Sequence, residues 1–97
     1  MNKIIIQAIR EKQVLQIGYH GYWRIVEPHT YGTNKDGQHI LRCYQVGGGS
    51  VSGSPVAWKL LFLDEMKSIT TTGNCFANPR HGYKYIDPAI PHIFARL

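Results

Sequence analysis

Two runs of this chain place chemistry-bearing side chains at alternating positions. They are Arg24-Ile25-Val26-Glu27-Pro28-His29 and Leu41-Arg42-Cys43-Tyr44-Gln45-Val46-Gly47-Gly48-Gly49. In a strand, alternate residues point to opposite faces. One face can therefore build a core while the other presents Arg24, Arg42 and Tyr44. A guanidinium grips phosphate or carboxylate through paired N–H donors. Aromatic rings beside it stack bases. With Tyr19 at the end of the preceding run, the set Tyr19, Arg24, Glu27, His29, Arg42, Tyr44 and Gln45 makes a candidate ligand site. Lys59, the lone charge in Val56–Leu63, would add a phosphate contact, or else snorkel from a sheet edge. Arg24 and Glu27 could instead form an ordinary surface pair, which is weak.

Other chemistries find less support. Glu27 and His29 offer a carboxylate and an imidazole, the parts of a general acid or base. Pro28 and the strand alternation separate them, and neither a second carboxylate nor a nucleophile stands close by in sequence. A small hydrolase built on this pair is the weakest reading, and the chain is expected not to be an enzyme. The five histidines lack metal-ligand spacing, so no metal or cofactor is expected. Gly47-Gly48-Gly49-Ser50 could wrap an anion with backbone amides. It lacks the Lys-Ser/Thr and following helix of a phosphate loop, and reads as a flexible hairpin loop.

The elements that must position these groups follow from periodicity. Asn2 caps a helix that runs to about Lys12, with Ile5, Ala8 and Ile9 on one face. From Val14 the period becomes two, and Leu15, Ile17 and Tyr19 mark a first strand. His20-Gly21 is a turn signal, and Tyr22–Val26 is a second strand with Trp23 and Ile25 opposite Arg24 and Val26. Pro28 removes a backbone donor, so the chain bends there or lies at an edge. Asn34-Lys35-Asp36-Gly37 signals a hairpin. His39–Val46, Val56–Leu63 and Met66–Thr72 are the third, fourth and fifth strands. A short helical turn is expected near Ala89–Ala95. One helix and five short strands suggest a mainly β fold, a small antiparallel barrel that hides its own edges.

The chain has 97 residues, enough for one domain with a small core. Apolar residues make up 43% of it, which argues against wholesale disorder. Eleven Lys and Arg oppose six Asp and Glu, giving 11 − 6 = +5. Such a surface attracts nucleic acid or acidic ligands, or serves solubility alone. Cys43 and Cys75 have no paired spacing and read as reduced thiols of a cytoplasmic protein, Cys43 as a small core residue. The short apolar run Ile4–Ile6 is not expected to serve as a signal-peptide core, and no run reaches membrane-spanning length.

The order of these segments resembles the WYL-domain family. The resemblance rests on Val14-Leu15-Gln16-Ile17-Gly18-Tyr19, Arg24-x-Val26-Glu27-Pro28, Gly37-x-x-x-Leu41 and Leu61-Phe62-Leu63-Asp64-Glu65-Met66, and spans residues 3–72. It implies an N-terminal helix followed by a five-stranded Sm-like or SH3-like barrel. It also implies a regulatory module of bacterial and phage-defence systems that senses nucleic acid or a nucleotide and modulates a partner or transcription. Three departures are plain. The namesake tripeptide is His39-Ile40-Leu41, and the two arginines of the family's closing motif align with Phe62 and Glu65. No helix-turn-helix fits beside the barrel, so a stand-alone module is expected. Residues 73–97 form a tail rich in Pro and aromatics that covers the barrel or a partner, although Arg80, His81, Tyr83, Lys84 and Tyr85 would also suit single-stranded nucleic acid. The other reading is an assembly protein with no small ligand, a homo-oligomer joined through strand edges.

Overall fold

Asn2 has extended backbone, and its side-chain oxygen accepts the Ile5 N–H at 3.0 Å, which starts helix α1 (Lys3–Arg10). In this computed structural model, which describes residues 1–51 and 53–97, α1 buries Ile5, Ala8 and Ile9. Lys12 turns the chain with a φ of 52° into β1 (Gln13–Tyr19). His20 and Gly21, with φ of 51° and 81°, form the tight turn that right-handed strand twist favours, leading into β2 (Tyr22–Thr33). The Asn34 side chain accepts the N–H groups of Asp36 and Gln38 and shapes the turn into β3 (His39–Gly48). β4 (Ala57–Phe62), a 3-10 turn over Leu63–Glu65, β5 (Met66–Cys75) and β6 (His92–Arg96) complete the order.

The strands form one antiparallel sheet in the order β4-β3-β2-β1-β5, with β6 paired to β2. The sheet is not closed into a barrel, which corrects the sequence expectation. β4 takes the far edge of β3 and β5 the far edge of β1, and no pairing joins β4 to β5 among the described residues. The expected helical turn near Ala89–Ala95 is also corrected, because most of that segment is β6. It forms because β2 is twelve residues long. The first half of β2 pairs with β1 through Tyr22–Val26. The second half, Thr30–Thr33, has the same kind of edge free, and β6 fills it.

Pro28 does not end β2. The register jumps between Pro28 and Thr30, which leaves His29 as an extra residue, a β-bulge. Before the bulge Val26 lies opposite Gln45 and Glu27 opposite Tyr44. After it Thr30 lies opposite Arg42 and Tyr31 opposite Leu41.

One side of the sheet packs on α1. Ile5, Ile9, Leu15, Ile17, Val26, Tyr31 and Leu41 meet there, all at most 1% exposed. Each such side chain contributes roughly 1.5–3 kcal/mol of burial. The phenol of Tyr31 ties the layers together, since it accepts the Asn2 N–H at 2.9 Å and bonds His39 Nδ1 at 2.7 Å. The opposite side of β2, β3 and β4 carries residues 76–91.

Candidate functional site

The eight residues singled out from sequence fall into two groups, one on each side of the sheet. The register decides the division. Val26 opposite Gln45 puts Arg24, Val26, Cys43 and Gln45 on the helix side, and it sends Arg42 and Tyr44 to the other. The expectation that Arg24 and Arg42 share a face is therefore corrected.

Tyr19, Arg24, Gln45 and Lys59 form the inner group. Arg24 is 3% exposed. Its Nε donates to the Tyr19 carbonyl at 3.2 Å and its Nη1 to Gln45 Oε1 at 3.4 Å. Its guanidinium carbon lies 5.1 Å from the Tyr19 ring centre and 6.0 Å from that of Tyr22. Gln45 Nε2 donates at 2.9 Å to the carbonyls of both Gly47 and Gly49, which fastens the glycine loop over the start of β2. The Tyr19 phenol accepts the Phe62 N–H at 3.2 Å, and burial pushes its pKa up. Lys59 stands opposite Cys43 and donates to Ser50 Oγ at 3.1 Å and to the Ser54 carbonyl at 2.8 Å.

Glu27, His29, Arg42 and Tyr44 form the outer group, and the tail covers them. Arg80 donates to Glu27 through Nε at 2.7 Å and Nη2 at 3.0 Å, and its guanidinium lies 5.0 Å from the Tyr44 ring centre. Arg42 donates to Asp87 through Nε at 2.8 Å and Nη2 at 3.4 Å. Burial disfavours the charged form of Asp87, but the Arg42 bond and the Ala89 N–H outweigh it and hold its carboxyl below the usual range. His29 is fully buried between Trp58, Phe76 and Tyr83. Its Nδ1 bonds the Glu27 carbonyl at 2.8 Å, and its Nε2 accepts the Arg80 N–H at 3.1 Å. One nitrogen donates and the other accepts, which defines a neutral ring. Burial lowers its pKa accordingly. Both nitrogens are committed to backbone groups, so the geometry gives Glu27 and His29 a structural task.

A third arrangement escaped the sequence reading. Trp23 lies opposite Gly18, and Gly18 opposite Ser68, across the uncovered outer face of β2, β1 and β5. Trp23 is 59% exposed and Tyr22 is 44% exposed. A side chain on Gly18 would come 3.0 Å from Ser68 Oγ and 3.5 Å from the Trp23 ring, so the glycine keeps the floor low. The result is a cleft of about 250 Å³ lined by Gly18, Tyr19, Tyr22, Trp23, Lys67 and Ser68. The Ser68 hydroxyl is buried there and makes no hydrogen bond among the described residues. The signal was present in the chain. A Trp that alternates out of phase with Val26 and faces a glycine has no core to enter.

Among the described residues no group of His, Cys, Asp and Glu is arranged to hold a metal ion. No helix among them is long and apolar enough to cross a membrane. No protein-family model, curated protein or solved structure matches this chain.

Proposed function

We propose that this chain is a non-enzymatic module that binds single-stranded nucleic acid or a nucleotide in the Trp23 cleft. The observation that carries the reading is the Trp23 ring, which lies open on a sheet face over Gly18 with Lys67 at its side. An exposed indole offers a base a stacking surface. Lys67 supplies a phosphate contact. Arg24, held between Tyr19 and Tyr22 behind the strand, adds positive potential at the same end of the sheet. The net charge of +5 supports an anionic partner. The resemblance to WYL domains extends the reading to a cytoplasmic regulatory module that modulates a partner or transcription.

The test is fluorescence anisotropy with labelled single-stranded oligonucleotides across a salt series. The log of the affinity should fall linearly with the log of salt. Trp23→Ala should cost about 1–3 kcal/mol of binding, the usual worth of one stacked base. Lys67→Ala should flatten the salt slope by about one ion. Absence of binding at low salt would remove the proposal.

One observation favours a second reading, an assembly protein. The sheet is open, so β4 and β5 each present an unpaired edge among the described residues. Sedimentation at high concentration tests it, because a strict monomer excludes edge-to-edge assembly.

A further inference from the structure

Where the tail crosses the outer face of the sheet it leaves a second cleft, of about 230 Å³, lined by Arg42, Trp58, Gly82, Lys84, Asp87 and Pro88. This cleft owes its shape to the tail and is separate from the Trp23 cleft. Its charges do not balance. Asp87 is 6% exposed, and its two oxygens are taken by Arg42 and by the Ala89 N–H. Arg42 and Asp87 thus cancel. Lys84 is exposed at the rim and makes no hydrogen bond or ion pair among the described residues. The cleft is left with one uncompensated positive charge.

Its walls are set in advance. Trp58 donates its indole N–H to the His81 carbonyl at 3.1 Å and meets the Tyr44 ring edge-on at 5.4 Å. Gly82 has a φ of 90°, and a side chain there would come 3.1 Å from the Trp58 nitrogen. Glycine at this position therefore lets the tail close on the indole without filling the space beside it. Pre-ordered walls spare a ligand the cost of fixing them.

We propose that this cleft binds a small organic anion. Its carboxylate or phosphate meets Lys84, with the unbonded edge of the Arg42 guanidinium behind it, and its apolar body lies against Trp58 and Pro88. The charge count selects an anionic head group over a neutral one, and the lining selects a compact flat body over an extended chain.

The experiment is a titration of the full chain with benzoate and with phenyl phosphate, followed by two-dimensional amide and indole NMR. One or both should shift the Trp58 indole and the Gly82 amide saturably and leave the Trp23 indole in place. Response to benzoate identifies a carboxylate ligand, and response to phenyl phosphate a phosphate monoester. Lys84→Ala, an exposed change that spares the fold, should weaken the response about tenfold or more, the usual effect of losing one charged hydrogen bond. Lys67→Ala should leave it unchanged. No saturable shift with either compound, or full response in Lys84→Ala, would overturn the proposal. The Trp23 indole reports separately, so neither outcome bears on the nucleic-acid reading.

Discussion

Removing the Arg80 side chain should destabilise the fold more than removing the charge it neutralises. Arg80 and Glu27 form a two-pronged pair at 2.7 and 3.0 Å, but they are buried unequally. The Glu27 side chain is 7% exposed and that of Arg80 is 46% exposed. In Arg80→Met, the carboxylate stays in a nearly dry site with no cation. Breaking a fully buried pair from one side costs roughly 3–5 kcal/mol, whereas an exposed pair is worth roughly 0–1 kcal/mol. Half exposure of Arg80 places the expected cost between these limits, at about 2 kcal/mol. For a domain of this size that lowers the melting temperature by roughly 8–16 °C. In Glu27→Gln the guanidinium left behind can turn to water, and the cost should be about 1 kcal/mol or less. The double variant removes both charges and should be more stable than Arg80→Met alone. Urea denaturation of the wild type and the three variants measures this cycle. Equal costs for the two single changes, or a double variant as unstable as their sum, would refute the burial argument.

Two other outcomes follow from the same geometry. His29 is held neutral, so its folded pKa lies below its unfolded value near 6.5. Its contribution is complete above about pH 6.5 and is lost as the pH falls and the unfolded chain takes up the proton. The loss should approach about 1.4 kcal/mol per pH unit. Urea midpoints at stepped pH read the slope, and an NMR titration of the His29 ring should give a midpoint below that of free histidine. Burial pushes the Cys43 thiol up to about 12, while Cys75 is exposed. A thiol reagent at neutral pH should therefore modify one cysteine in the folded protein and two in urea, and rapid modification of both in the native state would contradict this packing.

Local signals carried much of the fold. The Asn2 cap, the stripe of Ile5, Ala8 and Ile9, and the turns at His20-Gly21 and Asn34–Gly37 depend on residues a few positions apart, and each is readable from neighbours. Arg24 and Val26 also share a face as alternation requires. The tail was harder. Ile93-Phe94-Ala95 becomes a strand because the second half of β2 has an open edge, and no local pattern records that vacancy. Arg80 finds Glu27 across 53 positions of the chain, and Arg42 finds Asp87 across 45. Charge alone marks such residues as candidates for a ligand, and only the register reveals that two of the arginines face opposite ways. Whether a sheet closes is likewise set by which edges meet, not by how many strands there are.

The extra residue in β2 acts like a frameshift within the strand. Upstream of it the even-numbered residues Val26 and Pro28 belong to the core phase, and downstream the odd-numbered Tyr31 does. Deleting His29 would remove the bulge and leave one continuous alternation, with Val26 and Tyr31 still on the core side, opposite Gln45 and Leu41. What it would cost is the His29 ring itself, with its bonds to the Glu27 carbonyl and the Arg80 N–H, and the bend that the bulge gives β2. The bulge is thus where the chain gains one side chain for its outer layer without moving the core residues on either side of it.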